Sequence, residues 1–307
     1  MREWSPHTEE KISILADYLG EFTVAARTAV NRIYMDLFAG ETVNILKTTG
    51  EQFPGSAEIA RAVEPPFTSL ILFEKDHQRA TDLRTLARDH GDSRVTVVEG
   101  DCNANMLAAL RAVPTQAPVF AFVDPDGMEV QFRTIELLAE HKRNSGKPKI
   151  EMWVLLPTSG LVRMLGGNRS EAERQGHPDK VARLYGAWGP WQDVWEARLA
   201  GTLSPGDARL AYLLLYMDRL AGLEYTYLLA RPIKNSRGEL YVMVFATDHP
   251  AGQSIMQWAQ EKDRVVRRTA TPPLFQYPEA RPAYEDIHTE WREQFPVSLS
   301  EWVEYQW

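Results

Sequence analysis

The sequence predicts a doubly wound α/β fold, a parallel sheet with helices on both faces that is closed by an antiparallel pair. Three observations carry this. Five short apolar runs each end in, or lead directly into, an acidic or glycine-bearing turn or a change to polar chain. Stretches of helical periodicity separate them. An Asn235-Ser236-Arg237-Gly238 link joins two further apolar runs, which is the composition of a hairpin turn.

Taken in order, Glu10 to Val30 places Ile12, Leu15, Leu19, Phe22, Val24 and Ala26 at mostly helical spacing, with a break expected near Gly20. Ile33 to Phe38 is a short run closed by Ala39-Gly40, suited to a buried parallel strand that ends in a backbone turn. A polar loop through Pro54-Gly55 follows. Ser56 to Val63 then reads as a helix capped by Ser56, with Glu58 in its first turn and Pro65-Pro66 as its stop. The second strand runs Ser69 to Phe73 and ends at Glu74-Lys75-Asp76, with a helix over Gln78 to Arg88. The third, Val95 to Val98, ends at Glu99-Gly100-Asp101 and leads to a helix over Asn103 to Ala112 that Pro114 terminates. Val119 to Val123 ends at Asp124-Pro125-Asp126-Gly127, with a helix over Phe132 to Lys142, and Ile150 to Leu156 is the fifth strand.

From Thr158 to Leu223 the chain turns Gly- and Trp-rich and helical, including Leu161 to Leu165, Asp179 to Trp188 and Asp207 to Ala221. Strands resume at Tyr225 to Ala230 and Leu240 to Ala246, followed by a helix near Gly252 to Asp263, a Pro/aromatic stretch over 271–278 and a last helix near 299–307. The expected organisation is therefore an N-terminal helical segment (1–30), a core built from 31–157 and 224–262, a helical insertion (158–223) and a C-terminal extension (263–307).

Composition narrows the function classes. The 307 residues are 44% hydrophobic and 25% charged, proportions that exclude bulk disorder. With 34 Lys+Arg against 42 Asp+Glu the net charge is -8, which disfavours affinity built on broad phosphate neutralisation and makes nucleic acid a secondary partner. A single cysteine, Cys102, excludes an intrachain disulfide framework and points to a reducing, cytoplasmic compartment. No run approaches the ~18 apolar residues of a membrane span, and Met1 to Lys11 lacks an apolar signal core. The seven histidines show no paired i, i+4 spacing, so no metal site is expected.

Ligands of open α/β sheets bind beyond the carboxyl ends of the strands, at the point where strand order reverses. Those ends carry Asp36 and Gly40, Glu74, Asp101 and Asp124. A turn at Gly40 would let backbone approach a charged tail, Glu74 could hold ribose hydroxyls, and Asp101 could accept from an adenine amine. Asp36 and Asp124 could equally cap local turns. Cys102 suits a small core position better than a nucleophile's. His7, Thr8 and Lys11 form either a helix cap on a solvated face or a lid, and His249 beside Pro250 suits a turn. Trp188, Trp191 and Trp195, with Arg163, Arg169, Arg174 and Arg183, could grip a nucleotide or peptide or form the hydrophobic heart of the insertion. The basic run 264–268 is a solvated face or a contact for a polyanion or partner.

This layout resembles class I S-adenosylmethionine-dependent methyltransferases, a Rossmann-like fold, through Asp36-Leu37-Phe38-Ala39-Gly40, Glu74, Gly100-Asp101-Cys102 and Asp124-Pro125. It is most similar to one branch, the three-Cys-motif partner proteins. That resemblance rests on His7-Thr8 with Lys11, Tyr34 to Gly40, Gly55-Ser56 before a helix, Phe122 to Gly127, and Phe245 to Pro250, and extends to about residue 262. It implies methyl transfer from S-adenosylmethionine, with Asp36, Phe38, Ala39, Gly40, Glu74, Asp101, Cys102 and Asp124 around the cofactor and Asp124 as acceptor-orienting group or base. Two departures stand out. Glu41-Thr42 follow Gly40 where a second glycine is usual, so that Glu41 could meet the sulfonium or the amino group as a second catalytic candidate. Asp124-Pro125-Asp126-Gly127 lacks the aromatic on which a flipped base would stack, which points away from adenine-N6 chemistry. A nucleic-acid-modifying enzyme and a noncatalytic partner or assembly protein remain the alternatives.

Overall fold

The computed structural model describes residues 3–4, 6–46, 49–166, 176–186, 189–235 and 238–270. Trp188, Arg169, Arg174, the stretch 271–278, the helix expected at 299–307 and the side chains of His7 and of 264–268 lie outside the described residues. Five parallel strands, β2 (Ile33–Asp36), β5 (Ser69–Glu74), β6 (Val95–Glu99), β7 (Val119–Val123) and β8 (Glu151–Leu156), join an antiparallel pair, β9 (Tyr227–Asn235) and β10 (Gly238–Thr247). The order across the sheet is β6-β5-β2-β7-β8-β10-β9, so β2 is the middle of the five parallel strands and strand order reverses between it and β7. This is the doubly wound sheet with an antiparallel closure that the sequence predicts.

The interior strands are apolar at nearly every position because both faces are covered. Along β2, Ile33 and Met35 enter one core while Tyr34 enters the other; along β8, Met152, Val154 and Leu156 face away from Trp153 and Leu155. The edge strand β6 is only partly buried, and its Glu99 is paired with Arg84 at 2.8 Å. One face carries α1 (Pro6–Ala25), α2 (Ser56–Ala62), α3 (His77–Asp89) and α10 (Pro250–Ala270). The other carries α4 (Cys102–Leu110), α5 (Phe132–Glu140), α6 (Thr158–Met164), α7 (His177–Tyr185), α8 (Trp191–Leu199) and α9 (Pro205–Ala221), which share a single core with the sheet. The α9 helix starts with Ser204 accepting from the Asp207 amide at 3.2 Å, ahead of Pro205 in its first turn.

Several boundaries differ from expectation. The α1 helix begins at Pro6, ends at Ala25 and runs through Gly20 without a break. A mid-helix glycine costs ~1 kcal/mol relative to alanine, far less than burying Ile14, Leu15, Tyr18, Leu19 and Phe22 on one face recovers. The stretch read as a polar loop before Gly55 is a small sheet: β3 (Val43–Leu46) pairs antiparallel with β4 (Gln52–Pro54) and parallel with β1 (Glu3–Trp4). The hairpin is also longer than its apolar runs, because β9 continues through Arg231 to Asn235 against β10.

Polar groups tie α1 to four separate places. Glu10 pairs with Arg231 of β9 at 2.8 Å, both side chains 7% exposed. Lys11 reaches Asp124, the Tyr18 hydroxyl donates to Glu151, and Asp17 accepts from Lys262 of α10 at 2.6 Å. Glu151 starts β8, and burial pushes its carboxyl up to about 7 despite donors from Tyr18 and Thr247.

Removing the Glu10 carboxylate takes from the buried Arg231 guanidinium its ion pair at 2.8 Å. Glu10→Gln is therefore expected to lower the urea-unfolding free energy by about 3 kcal/mol, whereas Glu10→Leu combined with Arg231→Met is expected to regain most of that loss.

Candidate functional site

The carboxyl ends of the central strands open into a cavity of about 760 Å³, within the usual span for small-ligand sites, roughly 300–1,000 Å³. At its base lies Asp36, the last residue of β2, with no exposed surface. Its Oδ2 accepts from the Tyr34 hydroxyl at 2.9 Å and from Ser56 Oγ at 2.6 Å, and its Oδ1 from the Phe38 amide at 3.2 Å. Burial pushes the Asp36 carboxyl up to about 6, and the three donors only partly offset it. Ser56 is consequently the first residue of α2 and not its cap. The cap position belongs to Gly55, where a Cβ would lie 2.1 Å from the Glu41 carbonyl oxygen.

From Asp36 the backbone is passed between neighbouring strands. The Leu37 amide donates to Phe122 and the Ala39 amide to Phe73, at 3.0 and 2.9 Å. Gly40, at φ +63°, then turns its amide to Glu74 Oε2 at 2.9 Å. The other Glu74 oxygen accepts from the Asp76 amide at 2.7 Å. Glu74 is 7% exposed, and each carboxylate oxygen retains a lone pair after these bonds. Asp76 caps α3, accepting from the Arg79 amide at 3.0 Å.

At the end of β6, Gly100 has φ +124° and its amide donates to the Glu74 carbonyl at 2.8 Å. Asp101 caps α4, its Oδ1 accepting from the Asn103 amide and side chain, both at 2.8 Å, while it lines the cavity. Cys102 is buried in the core, and burial pushes its thiol up to about 12, so it is a packed residue with no thiolate to offer at neutral pH.

Across the cavity, Asp124 Oδ2 accepts from the Lys11 ammonium. Lys11 is 4% exposed and lies 5.5 Å from the Tyr241 ring centroid. Burial works against its charge, but Asp124 and Tyr241 outweigh it and raise its pKa, so the ammonium persists. Burial also raises the Tyr241 hydroxyl. Glu41 points toward Arg79 of α3, 3.5 Å away, and that guanidinium balances its charge at the rim.

The cavity thus brings together Phe38, Ala39, Gly40, Glu41, Glu74, Asp101, Cys102 and Asp124, with Thr8, Lys11 and Arg163, while Asp36 lies beneath its floor. His249 accepts from the Ala251 amide at 3.1 Å in the turn before α10 and lies outside it. Trp191 and Trp195 stack with centroids 6.1 Å apart in the core beside α9, so the described tryptophans of this region are packing groups and no platform for a base. Sequence reasoning missed Arg79 and Tyr241, for which spacing offers no signal. It also missed the donors to Asp36, although a tyrosine two residues before a buried strand aspartate shares its side of the sheet.

No protein-family model matches the chain, and no curated protein matches it. Among solved structures, an O-methyltransferase from Bacillus cereus in complex with SAH is 14% identical, covering 80% of this chain and 82% of its own, with a TM-score of 0.41. The O-methyltransferase TomG from Streptomyces achromogenes in complex with SAM is 15% identical, covering 75% and 79%, at 0.38. A Legionella pneumophila protein is 11% identical, covering 82% and 91%, at 0.49. With likenesses of this size, function has to be read from the cleft itself.

Asp36 should make stability depend on pH. Its carboxyl titrates near 6 when folded and near 4 when unfolded, so the native state binds the additional proton between those values. Its contribution is complete below about pH 4 and is lost as pH rises through 6. The stability of the wild type relative to Asp36→Asn is expected to fall by roughly 2 to 3 kcal/mol between pH 4 and 7 in urea titrations. Cys102 is expected to resist iodoacetamide at pH 8 until denaturant is added, as followed by mass spectrometry.

Proposed function

We infer that the chain is an S-adenosylmethionine-dependent methyltransferase-like protein that holds the donor in this cleft and passes its methyl group to an acceptor. One observation carries the reading: on the strand beside β2, where strand order reverses, the buried Glu74 carboxylate is aimed by two backbone amides, one from the Gly40 turn and one from Asp76. A rigid bidentate acceptor at that position suits a ribose diol. The other residues fit the same molecule. The Phe38-Ala39-Gly40 turn suits its amino-acid tail, and Asp101 with Cys102 suits its adenine. Glu41, which could have opposed the tail carboxylate, is balanced by Arg79.

When bound, S-adenosylmethionine supplies a methyl group already activated on a sulfonium, so the protein's task is alignment and the exclusion of water. Lys11 holds one oxygen of Asp124 and leaves the other to orient the acceptor or take its proton. Proton transfer to the oxygen on Lys11 would require the ion pair to open. Glu41 becomes available to an acceptor only on leaving Arg79. The finer placement with the three-Cys-motif partner proteins is supported by the motif order from Lys11 to Pro250, and a cytoplasmic setting by the single reduced cysteine. Among the described residues no helix is long and apolar enough to cross a membrane.

Calorimetry with S-adenosylmethionine and S-adenosylhomocysteine tests the reading. Saturable micromolar binding, on the order of -8 kcal/mol, is expected, and no binding at millimolar ligand would defeat it. Glu74→Ala is expected to weaken S-adenosylhomocysteine binding by about 1–3 kcal/mol, since it removes a charged acceptor. Asp124→Asn is expected to leave that affinity nearly intact and to lower single-turnover methyl transfer once an acceptor is in hand. Equal loss of both would move Asp124 to the donor's binding groups.

A further inference from the structure

The cavity extends beyond the groups assigned to the methyl donor. Its other half is walled by Ile12, Leu155, Pro157 and Leu240, which are apolar, and by the polar residues Ser159, Arg163 and Tyr241. Most polar atoms at this end are already engaged. Lys11 is held by Asp124, while Thr158 and Ser159 both donate to Glu239, the former to its carboxylate at 2.6 Å and the latter to its carbonyl. Asp126 is engaged as well.

Arg163 and the Tyr241 hydroxyl are among those that are not. Arg163, exposed on α6, makes no hydrogen bond or ion pair among the described residues, and the Tyr241 hydroxyl makes no hydrogen bond there, although both line the cavity. An arginine fork without a carboxylate partner at the mouth of an otherwise apolar chamber is suited to a planar or tetrahedral oxyanion. The neutral hydroxyl deeper in can pair with an uncharged polar group. Because Lys11 and Asp124 neutralise each other, the guanidinium is the uncompensated charge that an incoming molecule meets on this wall.

Resting on the reading that the donor fills the strand-end half, we propose that the second half selects a small acceptor with an apolar body and an oxyanion, carboxylate or phosphate, gripped by Arg163 at the mouth while Tyr241 contacts its neutral end. Arg163 and Tyr241 are then specificity-determining residues. Cationic acceptors are disfavoured, since an ammonium would face Arg163 and the neutralised Lys11–Asp124 pair, while the lining carboxylate of Glu129 lies toward the Asp101–Cys102 end of the cavity.

The test is ligand-observed NMR and calorimetry on wild-type protein first saturated with S-adenosylhomocysteine, using benzoate, phenyl phosphate, benzyl alcohol and benzylamine as probes. Benzoate or phenyl phosphate is expected to bind in the millimolar range and at least about tenfold more tightly than the alcohol or the amine. The stronger of the two anions identifies the oxyanion. Arg163→Gln is expected to abolish that preference with S-adenosylhomocysteine affinity unchanged, and Arg163→Lys to restore part of it. Equal binding of the neutral or cationic probe, an anion affinity unaltered in Arg163→Gln, or no saturable binding of either anion up to about 10 mM would overturn the proposal. Failure of S-adenosylhomocysteine itself to bind would instead defeat the donor reading, and it is seen in the preceding step.

Discussion

At the middle of the sheet's upper edge, a carboxylate stripped of water is held by a phenol from its own strand, a hydroxyl from the following helix and an amide from the loop between. Each bond from Asp36 constrains a different segment. The Ser56 bond fixes where α2 begins, which forces Gly55 against the Glu41 carbonyl. The Phe38 bond shapes the turn that delivers the Gly40 amide to Glu74. A buried carboxyl is costly unless nearly all its acceptor capacity is used, and here that cost gives a loop of several residues one conformation. The ligand-facing groups inherit their geometry from a residue beneath them.

The second constraint is the way α1 lies over the same region. Its apolar stripe supplies the attraction, but a stripe alone tolerates sliding by a turn, and polar pairs with fixed partners do not. Glu10 on Arg231 and Tyr18 on Glu151 set the register along the sheet, and the register brings Lys11 above Asp124. Charge in the cleft is thereby arranged by a helix most of whose core-facing residues lie away from the cavity.

Much of the fold was legible because its signals are local. Apolar runs over both-face-buried strands, acidic turns and proline stops are properties of a few adjacent residues, and they placed β2, β5, β6, β7 and β8 and most helices to within a few positions. The ladder of Asp36, Glu74, Asp101 and Asp124 was legible for the same reason, since each ends its strand or follows it within two residues. What could not be read depends on distant groups. Ser56 looked like a cap because its neighbours favour one, and only the proximity of Asp36 redirects its hydroxyl. Val43 to Pro54 looked like a loop because its strands are short and pair with each other and with Glu3–Trp4, some forty residues earlier. The partnership of Glu41 with Arg79 spans two loops, and Tyr241 enters the cavity beside an irregularity in strand pairing between Glu239 and Tyr241 that no composition signals. Continuity through Gly20 was hidden because tertiary burial outweighs a weak local preference.

The spacing of the partners of α1 along the chain has a consequence for biosynthesis. Counted from their α1 residues, they lie 113 positions downstream at Asp124, 133 at Glu151, 221 at Arg231 and 245 at Lys262. At ribosomal rates of about 5–20 residues per second, the first helix waits roughly 10 to 50 seconds before its last anchor leaves the tunnel. An isolated helix of this length is marginal in water. Throughout that interval its apolar face is open to holdase chaperones and to neighbouring nascent chains on the same message, so the element that seals the cleft is made before all four of its anchors and is among the last to be secured.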